Sequence, residues 1–329
     1  MDTLGSIFGN GARAFIGLDT IIYALAAIGL NVQFGYAGLL NFGQAAFLAI
    51  GAYGVGISIA YLGLPLGIGV LVGIVGSAVL ALLLGIPTLR LRADYLAIAT
   101  IAAAEIVRLL ARSGTFREYT GGSAGIGGFS QDFYALSPIS EGTYGFGPWR
   151  YDERFTWIFL VGWTLVILSS VLVFLLMRSP WGRVLKGIRE DEDAVRSLGK
   201  NVYAYKMQAL VIGGVIGCLG GMVFALGRSS VQPDNYGTAL TFFVYTVLLL
   251  GGAARVMGPV IGAAVFWLVL SVTDTALREA IDAGLPLGLS TSQVGQVRFI
   301  LVGAALMALM VFRPQGIFGD KRELAINAR

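Results

Sequence analysis

Long apolar runs recur along almost the whole chain, and they limit its possible folds more than any other feature. A helix needs about 20 apolar residues to cross the hydrocarbon core of a bilayer, where each backbone polar group must be satisfied within the protein. About nine stretches approach that length: 15–33, 44–61, 66–86, 93–111, 155–177, 206–227, 239–253, 256–274 and 297–312. The pattern predicts an all-α, polytopic integral membrane protein with about nine transmembrane helices (eight to ten) in a single domain, 1–329.

The composition excludes most soluble and catalytic alternatives. Hydrophobic residues make up 56% of the chain and charged residues 13%, whereas soluble domains are about 45–50% apolar and about 25% charged. The chain has no histidine and one cysteine, Cys218. These counts argue against His-dependent catalysis, His-ligated metals and an intrachain disulfide. The sequence therefore predicts a non-enzymatic membrane protein that holds no cofactor or metal of its own.

Basic residues cluster in a few loops between the apolar runs, which indicates membrane topology rather than nucleic-acid binding. Seven Lys and Arg lie in 178–206, and four lie in the tail 313–329. Under the positive-inside rule these segments face the cytoplasm. We therefore expect the C-terminus inside, the N-terminus outside, a long external loop at 112–154 and a cytoplasmic loop at 178–205.

The segment 34–43 predicts a broken or half-helix region rather than a simple span, and the short run 239–253 is a second candidate of this kind. In the segment 34–43 the glycines are Gly35, Gly38 and Gly43. Two amide side chains, Asn41 and Gln44, lie at or beside its end. Unwound backbone is tolerated in a membrane where it is buried in protein or lines a water-filled path. Two interpretations stay open. The amides either hold the bundle together or, with Asn41 and Gln44, line a transport pathway.

Glu105 and Arg108 are the charged pair inside an apolar run, at a spacing of i, i+3 that permits an ion pair on one helix face. A structural pair near the helix end is the first interpretation. The second makes Glu105 a candidate pathway residue that meets a zwitterionic substrate, because intramembrane charges are costly and often functional.

The loop 178–205 predicts a short amphipathic helix at the cytoplasmic surface. Pro180 suits a first helical turn, Val184 and Ile188 share a helical face, and Gly199 is suited to a C-terminal cap. This helix is either held at the interface by anionic lipid or docks on a cytoplasmic protein. The candidate docking residues are Trp181, Arg183, Val184, Ile188, Asp193, Ala194 and Gly199.

Several motifs favour docking and resemble one family. DAVRSLG at 193–199 resembles the EAAxxxG loop of ABC-importer permeases, with Asp for Glu and Val for the second Ala. Similar matches are GYAGLLNFGQAAFLAIGAY (35–53), LRADYLAIATIAAAEIVRLL (91–110), TGGSAGIGG (120–128), GGAARVMGPVIGA (251–263) and FRPQGIFG (312–319). Together they resemble the LivM-type permease subunit of branched-chain, or hydrophobic, amino-acid ABC importers over about residues 20–320.

This resemblance implies a machine with several subunits in a bacterial or archaeal inner membrane. The implied partners are a second homologous permease, two cytoplasmic ATPases, a periplasmic or lipid-anchored binding protein, an amino-acid substrate and membrane lipid. The chain has no GxxxxGK[ST] motif, so ATP-Mg is expected on the partner ATPases. Closely similar subunits import urea or short amides, which leaves that cargo as an alternative. A stand-alone secondary carrier or channel is a second alternative.

Overall fold

The computed structural model describes residues 3–91, 93–145 and 147–282, together with short stretches between residues 295 and 318. These residues are mostly helical, which confirms the all-α class. The helices are α1 (Thr3–Ile16), α2 (Leu18–Leu30), α3 (Gln44–Ala60), α4 (Leu66–Thr88), α5 (Ala93–Arg112), α6 (Arg117–Thr120), α7 (Gln131–Ala135), α8 (Glu153–Arg178), α9 (Pro180–Glu190), α10 (Glu192–Ser197), α11 (Val202–Arg228), α12 (Thr238–Gly251) and α13 (Gly258–Asp282).

Short elements of other kinds complete the described chain. A π-helical turn covers Asn31–Tyr36, and 3-10 turns cover Gly122–Ala124 and Pro233–Tyr236. The four strands have two residues each: β1 (Ile126–Gly127), β2 (Thr143–Tyr144), β3 (Tyr151–Asp152) and β4 (Ser230–Val231). They form two antiparallel pairs, β1 with β4 and β2 with β3.

Five stretches of the described chain are long and apolar enough to span a membrane: Ile7–Tyr36, Leu66–Thr88, Glu153–Arg178, Val202–Arg228 and Gly258–Ile281. Two shorter apolar helices, Gln44–Ala60 and Thr238–Gly251, accompany them. The predicted run 93–111 forms α5, and the run 297–312 lies largely outside the described residues. The total of about nine spans therefore stays a prediction.

Helix α11 lies at the centre of the bundle, packed against α2, α3 and α4. Glycines permit this close approach, since a methyl group at Gly221 would overlap the carbonyl oxygen of Leu48 on α3. The outer faces of α4 and α8 instead expose large apolar side chains, including Leu71, Leu83 and Leu168. Such faces suit contact with lipid chains.

Two opposite ends of the bundle have different chemistry, and we name them after Arg228 and Arg255. At the Arg228 end, Arg228 pairs with Asp19 at 2.8 Å, and Trp149 donates to the carbonyl of Ala12 at 2.9 Å. At the Arg255 end, the side chain of Asn31 donates to the carbonyl of Arg255 at 2.8 Å. Helices α9 and α10 lie at this second end, where α9 contacts the π-helical turn.

The segment 112–154 folds onto the Arg228 end. Ile126 in β1 pairs with Val231 in β4, which ties the segment to the connection between α11 and α12. Its glycines fit this contact: Gly125 has φ +76°, and a methyl group there would overlap the carbonyl oxygen of Val231. The Tyr134 hydroxyl donates to the Leu226 carbonyl at 3.2 Å, and burial raises the pKa of its phenol above the usual value.

Candidate translocation and docking sites

The glycine-rich break lies between α2 and α3. Helix α2 passes into the π-helical turn, the chain leaves helical geometry after Tyr36, and α3 begins at Gln44. Gly38 has φ +69°, a backbone conformation that favours glycine. Gly35 lies in the π-helical turn, and Gly43 directly precedes α3. π-helical turns are rare in proteins, and those that occur are often found at functional sites. This break is therefore the first candidate site.

Three amide side chains form a closed network beneath the break. Gln33, Asn41 and Gln44 are each 0% exposed. Asn41 donates to the side-chain oxygen of Gln33 at 2.7 Å, and Gln44 donates to the carbonyl of Ala26 at 3.2 Å. Gln33 donates to the carbonyl of Leu210 on α11 at 3.1 Å. In this conformation the amides link α2, α3 and α11 and do not contact water.

Hydroxyl groups from α5 and α12 hold the other side of the break. The Tyr245 hydroxyl donates to the carbonyl of Asn41 at 3.1 Å, while its ring stacks on Phe42 with centroids 4.5 Å apart. The backbone amide of Phe42 donates to the Thr100 hydroxyl at 3.0 Å, and that of Ala45 donates to the Thr241 hydroxyl at 3.0 Å. The sequence analysis did not identify Thr100, Thr241 and Tyr245. Their hydroxyl groups within apolar runs could have indicated them.

Asn31 joins the first break to a second one between α12 and α13. Its side-chain oxygen accepts from the amide of Ala254 at 2.8 Å, and its nitrogen donates to the carbonyl of Arg255. Asn31 is buried, and Ala254 has φ +59°, which is unusual for a non-glycine residue. The two glycine-rich segments, distant in sequence, therefore meet at the Arg255 end.

Glu105 is part of a charged network at the other end of the bundle. Arg108 bonds Glu105 at 2.5 Å, in the ion pair that their spacing permits, and also bonds Asp234 at 2.7 Å. Arg112 reaches the same carboxylate at 3.3 Å. Both acids are partly exposed, whereas the guanidinium of Arg108 is largely covered. The network fixes α5 to the connection before α12 and leaves Glu105 accessible.

A cavity of about 220 Å³ opens beside this network at the Arg228 end. It combines charged and aromatic walls, formed by Asp19, Arg228, Asp234, Tyr23, Phe243 and Trp267. The rings of Tyr23 and Trp267 meet edge to face at 5.2 Å. Charge and aromatic surface together suit a small amphipathic solute.

The second candidate site is the segment that contains α9 and α10. The side chain of Ser179 accepts from the amide of Gly182, and Pro180 occupies the first turn of α9. Asp191 then ends α9 and caps α10 by accepting from the amide of Ala194 at 2.9 Å. The structure thus divides the predicted amphipathic helix in two at Asp191, because this side chain satisfies a helix N-terminus better than a helix interior.

The two helices bury one face and expose the other. Leu185, Ile188 and Val195 are buried. Trp181 donates to the side chain of Gln208 at 2.7 Å and, like Val184, is partly buried. The exposed residues include Arg183, Asp193, Ala194, Leu198 and Gly199.

Leu198 and Gly199 end this segment. Leu198 is 79% exposed, an unusual position for a leucine, and Gly199 has φ +74° with open space around it. Of the seven candidate docking residues, Ile188 lies in the supporting face, and Arg183, Asp193, Ala194 and Gly199 lie on the exposed surface. That surface is available to a partner.

Comparisons with known proteins match almost the whole chain, about the range over which its motifs resemble LivM-type permeases. The family model for the permease component of branched-chain amino acid transport systems matches residues 13–310. The high-affinity branched-chain amino acid transport system permease protein LivM of Salmonella typhimurium is 33% identical over 310 residues, 91% of this chain and 68% of that protein. A probable branched-chain amino acid transport permease protein LivM of Methanocaldococcus jannaschii is 26% identical and covers 91% of each chain.

A third relative matches a shorter part. The autoinducer 2 import system permease protein LsrC of Escherichia coli O9:H4 is 26% identical over 129 residues, 37% of this chain and 36% of that protein. Permeases named for chemically different cargoes therefore resemble this sequence, the amino-acid permeases over most of its length.

Proposed function

The chain belongs to the family of permease components of branched-chain amino acid transport systems, and from that membership we propose that it is the permease subunit of an ATP-driven importer for branched-chain or other hydrophobic amino acids. The resemblance to LivM-type permeases is confirmed by the family match, and the chain is a multi-pass membrane protein. In this proposal two partner ATPases bind the ATP-Mg, since ATP-driven transport needs a P-loop and this chain has no GxxxxGK[ST] sequence.

The exposed, charged face of the segment 178–205 is the structural observation that carries this proposal. The apolar face of this segment is buried against the bundle and its charged face is exposed, as a docking surface requires. It is the most basic loop of the sequence, which supports a cytoplasmic position under the positive-inside rule. The Arg255 end then faces the cytoplasm of a bacterial or archaeal cell, and the Arg228 end faces outward. A cytoplasmic C-terminus is part of the same proposal, supported by the four basic residues of the tail 313–329.

Transport in this proposal needs a second, homologous permease, with which the chain forms the pore in the inner membrane. A periplasmic or lipid-anchored binding protein delivers the amino acid to the Arg228 end, above segment 112–154. Glu105 lies at the entrance of the path, and Asn41 and Gln44 lie deeper beside the break. The amide network is closed in this conformation, and a pathway beside Asn41 and Gln44 requires it to open during turnover.

Two alternatives give different measurable behaviour. A permease for urea or short amides has the same architecture and a smaller, uncharged cargo. A stand-alone carrier or channel works without ATPases, but it leaves the exposed surface of α9 and α10 without a role. The exposed Leu198 favours the subunit of a larger machine.

Reconstitution in liposomes separates a permease subunit from a carrier. The purified chain alone is compared with the complex of both permeases, both ATPases and the binding protein. We expect uptake of labelled leucine only in the complex, and only with ATP-Mg at the face where the ATPases bind. Uptake by the chain alone without ATP would contradict the proposal.

Competition in the same assay determines the cargo. Excess unlabelled isoleucine or valine is expected to suppress leucine uptake, while excess urea or acetamide leaves it unchanged. ATP-dependent uptake of labelled urea or acetamide, without uptake of leucine, would assign the chain to the amide-importing alternative.

A further inference from the structure

Arg189, in the last turn of α9, reaches from the docking segment into the first glycine-rich break. Its Nη1 donates to the carbonyl oxygen of Gly35 at 2.5 Å. A methyl group on Gly38 would lie 3.3 Å from Cγ of Arg189, so this glycine lies directly against the arginine stem. The neighbouring Lys186 places its ammonium 5.8 Å from the ring centroid of Tyr36. Two cations of α9 thus hold the end of the π-helical turn.

The geometry of the break explains why a donor is needed there. The helical run from α2 ends at Tyr36, and the last carbonyls of a helix have no partner within it. The amide of Leu39 bonds back to the carbonyl of Gln33 at 2.9 Å. Arg189 supplies a charge-assisted bond to the Gly35 carbonyl instead.

Gly35 is also the point where the second break meets the first. A side chain at Gly35 would overlap Oδ1 of Asn31 and the amide nitrogen of Ala254. Asn31 in turn bonds the backbone of Ala254 and Arg255. Direct contacts therefore connect α9 to both breaks, and so to the helix pairs α2–α3 and α12–α13.

We infer that Arg189 is the positioning residue that transmits movement of the docked ATPase to the pathway. Gly35 and Gly38 form the surface that Arg189 contacts, and Asn31 connects this contact to the second break. Gly35 and Gly38 then serve to receive α9 rather than to line the pore. This inference rests on the proposed function, because it requires that α9 and α10 dock on an ATPase.

The reconstituted complex tests this role through the number of ATP molecules hydrolysed per leucine imported. In Arg189→Ala we expect the ATPases to co-purify as before and hydrolysis to continue, while uptake falls about tenfold, the scale expected for losing one charge-assisted hydrogen bond. Arg189→Lys keeps a cationic donor and should recover part of the coupling. Arg90→Ala, which removes a cation over the Tyr203 ring outside the contact described here, is the matched control and should keep the original ratio.

The possible outcomes distinguish a failure of this inference about Arg189 from a failure of the proposed function. An unchanged ratio in both Arg189 variants would overturn the transmission role. Loss of the ATPases from Arg189→Ala, with the permease still folded by gel filtration, would also overturn it, because Arg189 would then be a docking residue. Absence of ATP-dependent uptake by the unsubstituted complex would instead reject the proposed function.

Discussion

Amide side chains buried inside the bundle would destabilise this fold if they had no hydrogen-bond partners. A buried polar group without a partner costs about 1–3 kcal/mol, and more in hydrocarbon. Gln33, Asn41 and Gln44 avoid that cost by bonding one another and the backbone carbonyls of Ala26 and Leu210. Such a network either holds the bundle permanently or opens when water and substrate replace its bonds.

Cysteine accessibility distinguishes these two roles. With Cys218 replaced by alanine, cysteines at Asn41 and Gln44 should resist a small water-soluble thiol reagent at rest, because both sites are 0% exposed. They should react faster during ATP-driven turnover, when the path opens. The measurement is the labelling rate with and without ATP.

Two reference positions calibrate this labelling. A cysteine at the buried, apolar Ala52 should stay protected in every state, and one at the exposed Leu198 should react when no ATPase is bound. Protection of both amide positions throughout turnover would mean that they only pack the bundle.

Sequence reasoning identified Asn41 and Gln44 as candidate pathway residues, but not Gln33 or the groups that this network contacts. A polar side chain in an apolar run is conspicuous because it is expensive to bury in hydrocarbon. The carbonyl of Leu210 and the hydroxyl of Tyr245 belong to elements far along the chain, and no local pattern indicates which helices meet at the break. Arg189 was counted as one basic residue among seven, since its contact with Gly35 depends on tertiary packing.

At the scale of elements, close helix packing explains much of the glycine content. Gly221 on α11 should not accept alanine, because the added methyl group would overlap the carbonyl oxygen of Leu48. We expect Gly221→Ala to lower the free energy of unfolding by about 1–3 kcal/mol, the usual cost of overpacking. Thermal unfolding of the purified chain in detergent measures the change.

Gly67→Ala in α4 is the matched control. A methyl group there meets nothing within 4 Å. Alanine is also the better helix former, by about 0.5–1 kcal/mol. This variant should be as stable as the original chain or slightly more stable, and equal losses in both variants would contradict the packing argument.

The end of α10 gives a second prediction for an element. Gly199 has φ +74°, where a β-branched side chain is strained. Gly199→Val should distort the exposed turn and reduce ATPase co-purification about tenfold, equivalent to about 1.4 kcal/mol of binding. Gly199→Asn tolerates the left-handed conformation and should bind normally. If valine and asparagine bind the ATPase equally well, the turn does not contribute to docking.

The elements themselves were largely predictable because long apolar runs have few alternatives in a membrane. The run 155–177 became α8 at Glu153–Arg178, and 206–227 became α11 at Val202–Arg228. Two local features were harder to predict. The sequence predicted one amphipathic helix in 178–205, whereas Asp191 ends one helix and caps the next. The break at 34–43 was expected, but the π-helical turn at Asn31–Tyr36, where the break begins, was not.

At the scale of the whole molecule, the two ends of the bundle carry different structural features. The Arg228 end combines the folded segment 112–154, paired charges and a small cavity with aromatic walls. The Arg255 end brings together both glycine-rich breaks and α9. Between them, the outward apolar faces of α4 and α8 suit lipid. Composition alone predicted a membrane protein, but the meeting of the two breaks required the structure.

Photocrosslinking in the assembled complex tests most directly whether the permease takes its energy from an ATPase docked at the Arg255 end. A photoreactive residue replaces Leu198, and a second variant carries it at Leu136, another exposed leucine (65%) that follows α7 in the segment at the opposite end. The account predicts that the ATPase is captured from position 198 and not from position 136. Capture of the ATPase from position 136, or its absence from position 198 in a complex that transports, would contradict it.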